Sequence, residues 1–195
     1  MHPYSILPTR GLGAGTEIAQ GFAWRAPSVG LESPALEVMT DLTKMKAATI
    51  GLSASLAQCE QTMIYQGVRM LFVVTDMPSI EGLITTTDLE GERPMRVMNQ
   101  RDLRHDELQV SDVMTPLARL DAIDHGVMQA ACVGDVVATL QKFGRNHLLV
   151  VEGGGSAPLR VRGVVSRTQV ERQLGRAIEM TEIATSFAEI EKALI

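Results

Sequence analysis

The octapeptide Gly82-Leu83-Ile84-Thr85-Thr86-Thr87-Asp88-Leu89 occurs twice in this chain, the second time as Gly163-Val164-Val165-Ser166-Arg167-Thr168-Gln169-Val170. Both copies run from a glycine through apolar residues to a hydroxyl side chain. Three positions after that hydroxyl stands Asp88 in the first copy and Gln169 in the second. A repeat of this kind indicates two homologous structural units, so it governs the architecture of the whole chain.

The repetition extends well outside the octapeptide. Val38-Met39-Thr40 returns as Val113-Met114-Thr115, and Gly67 returns as Gly144. The separation between the copies grows from 75 positions at Val38 to 81 positions at Gly82, so the second copy carries short insertions. The last insertion falls in the glycine-rich segment 153–156, which has the composition of a loop. We therefore expect two units of one fold.

Each copy predicts a strand, a helix, two further strands and a second helix. Apolar residues at helical spacing and continuous apolar runs of strand length carry this prediction. In the first copy we expect a strand at Thr49 and Ile50, then a helix that is capped by Ser53 or Ser55 and ends at Gly67. The inward face of this helix is predicted to carry Leu56, Cys59, Met63 and Ile64. Strands at 70–75 and 80–85 follow, and Thr86 or Thr87 opens the second helix.

The second copy follows the same order. We expect its first strand to contain Val127 and its helix to end at Gly144. The inward face of that helix is predicted to carry Val133, Val136, Val137 and Leu140. The two strands that follow it are predicted at 148–151 and 162–165. Residues 90–110 are interpreted as a charged linker between the copies.

The composition excludes several classes of protein. Of the 195 residues 45% are hydrophobic, which suffices for a core, but no apolar run is long enough to cross a membrane. No secretory leader is recognised, and a net charge of −5 argues against nucleic-acid binding. Cys59 and Cys132 lie inside predicted helices without metal-binding spacing, so we expect reduced thiols and a cytoplasmic protein.

The ordered set of motifs, found twice at matched spacing, resembles the cystathionine β-synthase (CBS) domain. Two such domains in tandem resemble a Bateman module, and the resemblance covers about residues 34–175. It implies an α/β (α+β) fold of two pseudo-symmetric β-α-β-β-α repeats packed sheet to sheet. The two clefts between such repeats commonly bind adenine nucleotides or related adenosyl compounds.

The resemblance divides the chain into four segments. Residues 1–33 are expected to form an N-terminal arm, and residues 34–110 form the first repeat with its linker. The second repeat occupies residues 111–175. Residues 176–195 are expected to form a C-terminal amphipathic helix, whose apolar stripe packs on its own module or on a second copy. The members of that stripe are Ile183, Phe187, Ile190 and Leu194.

For the first cleft, the resemblance implies that Thr85 and Asp88 contact the ligand. A hydroxyl at a helix start suits a phosphate, and a carboxylate accepts hydrogen bonds from ribose hydroxyls. The other residues predicted here are Ile84, Ile50 and Arg69, the first two through backbone contacts with an adenine edge. A second interpretation stays open, because Thr-x-x-Asp at a helix start is also an ordinary helix cap.

The second cleft is expected to bind more weakly. Ser166 keeps the hydroxyl of the motif, whereas Gln169 offers a neutral amide in place of the carboxylate. The remaining residues predicted for this cleft are Val165, Asn146 and His147. Arg145, and Arg69 in the first copy, are expected to reach phosphate across the cleft, or alternatively to be solvated edge residues. For His147 the alternative of a structural histidine stays equally open.

These features predict a stand-alone regulatory protein. We expect it to bind AMP, ADP, ATP or S-adenosylmethionine, to form a homodimer, and to modulate a protein partner that the sequence does not identify. No catalytic residues, metal ligands or required cofactors are predicted, since no nucleophile, P-loop or zinc motif is present. The alternative is a protein-interaction dimer whose clefts are empty. The glycine-rich segment 11–16 lacks the context of a phosphate-binding loop.

Overall fold

The computed structural model describes residues 28–155 and 157–179, together with 8–11, 13, 14 and 16 of the N-terminal segment. The strands of this part are β1 Met39–Asp41, β2 Thr49–Gly51, β3 Met70–Val74, β4 Gly82–Thr85, β5 Thr115–Pro116, β6 Ala122–Asp124, β7 His147–Gly154 and β8 Ala157–Ser166. The α-helices are α1 Leu56–Gln66, α2 Thr86–Glu90, α3 Glu92–Arg101, α4 Val110–Val113, α5 His125–Ala130, α6 Val133–Phe143 and α7 Arg167–Leu174. The apolar stripe predicted at 183–194 lies outside the described residues.

The strands form two four-stranded sheets with the same pattern. The first sheet has the order β2-β3-β4-β5 and the second has the order β1-β8-β7-β6. In each sheet a short edge strand runs parallel to its neighbour, and the other two pairings are antiparallel. The two predicted repeats therefore build matching sheets within a mixed α/β fold, as expected.

Each sheet takes one strand from the other half of the chain. Strand β1, from the first copy, pairs with β8, and strand β5, from the second copy, pairs with β4. A glycine makes each crossing possible. A Cβ atom on Gly163 would lie 2.9 Å from the carbonyl oxygen of Thr40, and one on Gly82 would overlap the carbonyl oxygen of Thr115. The repeated glycine that opens the octapeptide therefore lets the crossing strand approach.

Apolar side chains on the facing sides of the two sheets form one cluster, and helices cover the outer sides. The inter-sheet cluster buries Met70, Phe72, Leu83, Leu149 and Val164. Burying a side chain of this size contributes about 1.5–3 kcal/mol, so this cluster holds the repeats together. Two further clusters pack the helices onto the outer face of each sheet.

Local sequence signals set the ends of the two longest helices. Ser55 caps α1 through a reciprocal capping box with Gln58, with N–O distances of 3.2 and 2.9 Å. Gly67 ends α1 and Gly144 ends α6, each in the left-handed conformation at φ values of 65° and 58°. Both glycines therefore act as predicted, since a residue with a Cβ atom adopts this conformation at a cost.

Several predictions about local structure were wrong. Val127 lies in helix α5, because the first strand of the second copy is β6 and a capping residue, Asp124, starts a helix directly after it. Cys132 is the residue before α6 rather than part of that helix, whereas Cys59 is buried inside α1. Ile64 is 66% exposed and does not face the core, since it stands just off the stripe formed by Leu56, Cys59 and Met63.

The segment 90–110 is not simply a linker. It contains helix α3, whose apolar residues Val97 and Met98 pack against the core of the first repeat. Its high charge misled the prediction, because a helix with one buried face carries its charged residues on the other. In the described part of the chain, no helix has both the length and the hydrophobicity needed to span a membrane.

An ion-pair network joins the crossing strand β1 to the second sheet. Arg162 binds both carboxylate oxygens of Asp41, with N–O distances of 3.0 and 2.9 Å, and Glu152 at 2.9 Å. Hydrogen bonds from Arg162 and then from Thr43 hold the pKa of Asp41 far below its usual value. The network therefore fixes β1 beside β8 at neutral pH.

Candidate functional site

Thr85 and Asp88 lie together at the end of strand β4. Thr85 is the residue before helix α2, and its hydroxyl oxygen accepts a hydrogen bond from the Asp88 amide at 3.3 Å. The carboxylate of Asp88 accepts in return from the Thr85 amide at 2.9 Å and from the Thr85 hydroxyl at 2.7 Å, both at Oδ2. The pair is therefore a helix-capping box in this structure, which is the second of the two interpretations left open by the sequence.

The other oxygen of Asp88 contacts a residue that the sequence analysis did not select. Arg93, in helix α3, donates from Nη1 to Asp88 Oδ1 at 3.2 Å. The same nitrogen lies 2.7 Å from the carbonyl oxygen of Val113 and 3.3 Å from the hydroxyl oxygen of Thr115, so its two N–H groups are shared among three acceptors. Arg93 therefore joins the α2 cap to the chain segment that enters strand β5.

These contacts limit what Asp88 can offer to a ligand. A carboxylate has about four acceptor positions, and protein donors already use three of them on Asp88. Its side chain is 17% exposed, so the group is mostly covered. Burial, followed by the nearby charge of Asp88, raises the pKa of the Cys59 thiol to about 11. Asp88 thus has room for one further hydrogen bond, and a ribose diol could not bind both of its oxygens.

The apolar residues predicted for the clefts have side chains that face the helices. Ile84 and Val165 are fully buried on opposite sheets, each in the cluster between its sheet and the covering helices. Ile50 packs against the same cluster as Ile84. Only the backbone of these residues is available for contact with an adenine edge, which is the contact predicted for the first cleft.

Ser166 and His147 lie opposite each other in the second sheet. They are register partners of strands β8 and β7, in the same relation as Thr85 and Met70 in the first sheet. The backbone also repeats, because the Arg167 amide donates to the carbonyl of Asn146 at 2.8 Å as the Thr86 amide donates to that of Arg69 at 3.1 Å. The two candidate clefts therefore have equivalent frames.

The helix starts of the two clefts differ. Helix α7 begins after Ser166 without any side-chain cap, whereas Asp88 caps α2 with a carboxylate. The amide groups of a helix's first turn lack intrahelical partners and attract negative charge. In the first cleft a protein carboxylate already supplies that charge. In the second cleft the start of α7 remains open to an anion.

Arg69 extends from the first copy toward the second. It was predicted for the first cleft, but its Nη1 atom lies 3.5 Å from the hydroxyl oxygen of Thr168, in the first turn of α7. Arg69 immediately precedes β3, so its position follows from the packing of the two sheets against each other. The structure therefore brings a cation of one repeat to the uncapped helix start of the other.

His147 remains neutral beside this cation. Burial is the larger cause and the charge of Arg69 the smaller, and together they lower the pKa of His147 to about 4. A neutral imidazole has one donor and one acceptor nitrogen. The candidate anion site therefore consists of a guanidinium, two hydroxyls and a neutral ring, contributed by Arg69, Ser166, Thr168 and His147.

The remaining predicted residues have separate positions. Arg145 forms an ion pair at the surface with the exposed Asp121, with an N–O distance of 2.6 Å. Gln169 is half-buried in α7, and Asn146 is exposed just before β7. Among the described residues, no cluster of His, Cys, Asp and Glu could hold a metal ion. Two surface grooves of about 640 Å³ each lie elsewhere, and neither is lined by a predicted site residue.

Sequence reasoning missed two residues of the candidate clefts, Arg93 and Thr168. Thr168 stands inside the repeated octapeptide, opposite Thr87 in the alignment of the two copies, so the repeat itself could have drawn attention to it. Arg93 had no such signal. It lies in the segment interpreted as a linker, and only the folded chain brings it to Asp88.

Comparison with solved structures identifies the fold. The whole of an uncharacterised conserved protein from Pyrococcus horikoshii aligns with 78% of this chain, at 18% identity and a TM-score of 0.54. A candidate signal-transduction protein with CBS domains from Burkholderia ambifaria matches 70% of this chain and 88% of its own, at 18% identity and a TM-score of 0.51. A proposed archaeal homologue of γ-AMPK from Methanocaldococcus jannaschii matches 69% of this chain and 50% of its own, at 15% identity and a TM-score of 0.50.

Sequence comparisons add nothing to this result. No protein-family model matches the chain, and no curated protein matches it. Because the identities are only 15–18%, the structural matches show a shared architecture and nothing more. The chain therefore has the fold of a tandem CBS-domain pair.

Proposed function

We propose that this chain is a regulatory CBS-pair module that binds an adenine nucleotide or a related adenosyl compound between its repeats. The observation that carries the proposal is the contact of Arg69 with Thr168 at the uncapped start of helix α7. A guanidinium, free amides and hydroxyls are the groups that proteins use to bind a phosphate. The second cleft thus has the chemistry for the charged end of a nucleotide.

The similar structures support a regulatory role. One is described as a candidate signal-transduction protein and another as a proposed homologue of γ-AMPK. No residue is assigned a catalytic role. The partner whose activity changes on ligand binding is proposed to be a protein, in keeping with a module that carries no enzyme domain within residues 34–175.

We propose the reverse of the order of the clefts that the sequence suggested. The sequence ranked the first cleft higher because Asp88 is charged, but three of its four acceptor positions are used by Thr85 and Arg93. Its charge also stands where a phosphate would have to approach helix α2. For a ligand with a phosphate, we propose that the second cleft binds first and the first cleft binds more weakly.

A thermal-unfolding screen tests the proposed function. The protein is heated alone and with AMP, ADP, ATP or S-adenosylmethionine, with GMP and inorganic phosphate as controls. A ligand present at 100 times its dissociation constant adds about 2.7 kcal/mol to stability, which raises the melting temperature by several degrees. At least one adenosyl compound is expected to act more strongly than GMP. No shift with any of the four compounds contradicts the proposal.

The second candidate function is a protein-interaction dimer with empty clefts. The capping box and the Arg93 contact favour it, because they satisfy Thr85 and Asp88 without a ligand. Under this alternative the nucleotide screen gives no shift, while light scattering still returns a dimer. The nucleotide screen therefore separates the two functions, since both predict a dimer.

A further inference from the structure

Among the described residues, Arg93 is the one basic side chain that contacts a predicted residue of the first cleft from outside the repeated motifs. Helix α3 carries it, in the segment that joins the two copies. Its side chain is 37% exposed, and its Nη1 atom contacts three acceptors on three different parts of the fold. Such a contact set calls for an explanation, because a surface arginine ordinarily pairs with one neighbour and contributes little.

The three acceptors of Arg93 belong to two functional features. The first acceptor, Asp88, is the predicted ribose contact of the first cleft. The other two, the Val113 carbonyl and the Thr115 hydroxyl, lie where the chain leaves the first repeat and enters crossing strand β5. Strand β5 pairs with β4, the strand that ends at Thr85. A single guanidinium therefore ties the cleft residue to the crossing strand beside it.

We propose that Arg93 is a positioning residue of the first cleft. It orients Asp88 toward the ligand, and it couples ligand binding in that cleft to the pairing of strand β5 with β4. This inference rests on the proposed function, since it assigns a ligand to the same cleft. Thr85 holds Oδ2 and Arg93 holds Oδ1, so the last acceptor position of Asp88 points in a fixed direction. Arg93 also adds a positive charge that favours an anionic ligand.

The second repeat reproduces only the contact to the crossing strand: Gln173, in α7, donates from Nε2 to the carbonyl of Glu37, just before β1, at 3.1 Å. The described residues show no contact there that would match the one between Arg93 and Asp88. The copies are 81 positions apart at the octapeptide, so the position that matches Arg93 is Leu174, an apolar residue at the end of α7. Gln169 stands where Asp88 would be. A change at Arg93 should therefore affect the first cleft and leave the second unchanged, which gives the proposal an internal control.

The test uses amide NMR of the full ¹⁵N-labelled chain with AMP as the probe. Shifts of Thr86, Thr87 and Asp88 report on the first cleft, and shifts of Thr168 and Gln169 report on the second. Arg93→Met removes the charge at similar length, and Arg93→Lys keeps the charge. Arg96→Met is the matched control, because Arg96 lies on the same helix, is 67% exposed and pairs only with Glu92 in its own helix.

We expect Arg93→Met to weaken AMP binding at the first cleft about tenfold, while affinity at the second cleft stays unchanged. Arg93→Lys should restore part of the loss, and Arg96→Met should match the native protein. Amide exchange at Leu117, which donates to Glu81 just after β5, should be faster in Arg93→Met and should slow in the native protein when AMP fills the first cleft.

Three outcomes would overturn the proposal. One is equal affinity at the first cleft in Arg93→Met and Arg96→Met. Another is that, in the native protein, AMP changes the amide chemical shifts of Thr168 and Gln169 but not those of Thr86 to Asp88. That result would leave the proposed function intact. The third applies if Arg93→Met does not fold, in which case Arg93→Lys is measured instead. If this variant binds AMP at the first cleft with native affinity and its Leu117 amide exchanges at the native rate, the role given to Arg93 is contradicted.

Discussion

The guanidinium of Arg69 lies 3.5 Å from the hydroxyl oxygen of Thr168, although 99 positions separate the two residues in the chain. The contact joins the two repeats at the point where helix α7 begins without a cap. In the first repeat the equivalent helix start is closed by the carboxylate of Asp88. The two repeats share one frame, but in one a carboxylate closes the helix start and in the other an arginine from the opposite repeat lies beside an uncapped helix start.

Asp88→Asn is expected to weaken adenosine binding at the first cleft by about tenfold, because a hydrogen bond from a ribose hydroxyl to a charged acceptor is worth more than one to a neutral amide. Gln169→Ala should have a smaller effect at the second cleft, since it removes only a neutral group. Calorimetry with adenosine, which has no phosphate for the Asp88 charge to repel, measures both effects. Unchanged affinity in Asp88→Asn together with lost affinity in Gln169→Ala would show that Asp88 is only a helix cap.

His147→Met is expected to reduce the loss of stability in mild acid. The folded protein holds the pKa of His147 at about 4, below its ordinary 6.5, so protonation favours the unfolded chain. Stability from this source is complete above pH 6.5 and falls as the pH drops toward 4. By pH 5 the native protein should have lost on the order of 1–2 kcal/mol more than the variant.

Methionine is the matched replacement here because Met70 occupies the same place in the first repeat. Urea unfolding at pH 7.5 and pH 5 gives the comparison. Asp41 stays ionised over this range, so its ion pair with Arg162 does not contribute to the difference. Identical pH dependence in the two proteins would mean that His147 is accessible to protons in the folded state.

Gly163→Ala is expected to destabilise the protein by about 1–3 kcal/mol, the usual cost of overpacking. The added methyl group would overlap the Met39 side chain and the Thr40 carbonyl where strand β1 crosses. Gly51→Ala serves as the control, because nothing lies within 4 Å of a Cβ atom built at Gly51. Denaturant unfolding of both variants measures the effect. Equal free energies of unfolding in the two variants would mean that β1 and β8 are not closely packed at Gly163.

The protein is expected to be a dimer in solution, of about twice the 21.1 kDa chain mass. The resemblance to CBS pairs implies pairing through helices, and two neighbouring apolar side chains of α1, Ile64 and Tyr65, are 66% and 92% exposed. Burial of such side chains favours association. Light scattering at micromolar concentration checks the mass, and Tyr65→Glu should shift it toward the monomer. A native mass near 21 kDa would contradict the expectation.

The repeated motifs predicted most of the fold because they are local signals. Gly67 and Gly144 each end a helix where a left-handed residue is needed, and the octapeptide twice gives a strand followed by a helix start. The exchange of β1 and β5 between the sheets could not be predicted in this way. It depends on pairings between residues far apart in the chain, Thr40 with Val164 across 124 positions and Leu83 with Thr115 across 32, and no local pattern records them.

The places of the candidate residues in the fold were predictable from the repeat, and their connections were not. Thr85 and Ser166 lie at equivalent points of two equivalent frames, as the repeat implied, while their contact with a ligand stays a prediction. Which cation reaches which cleft depends on how the sheets pack, so Arg69 was predicted for the first cleft and contacts the second. Arg93 was hidden because its charged neighbours gave the helix α3 the composition of a linker.

The central claim is that the second cleft binds the phosphate of an adenine nucleotide through Arg69. Calorimetry of AMP and adenosine, on the native protein, Arg69→Met and the control Arg96→Met, tests it most directly. The account predicts that AMP binds the native protein more tightly than adenosine, and that Arg69→Met lowers the affinity for AMP about tenfold while leaving that for adenosine unchanged. Equal affinities for AMP and adenosine in the native protein, or no binding of either, would contradict it.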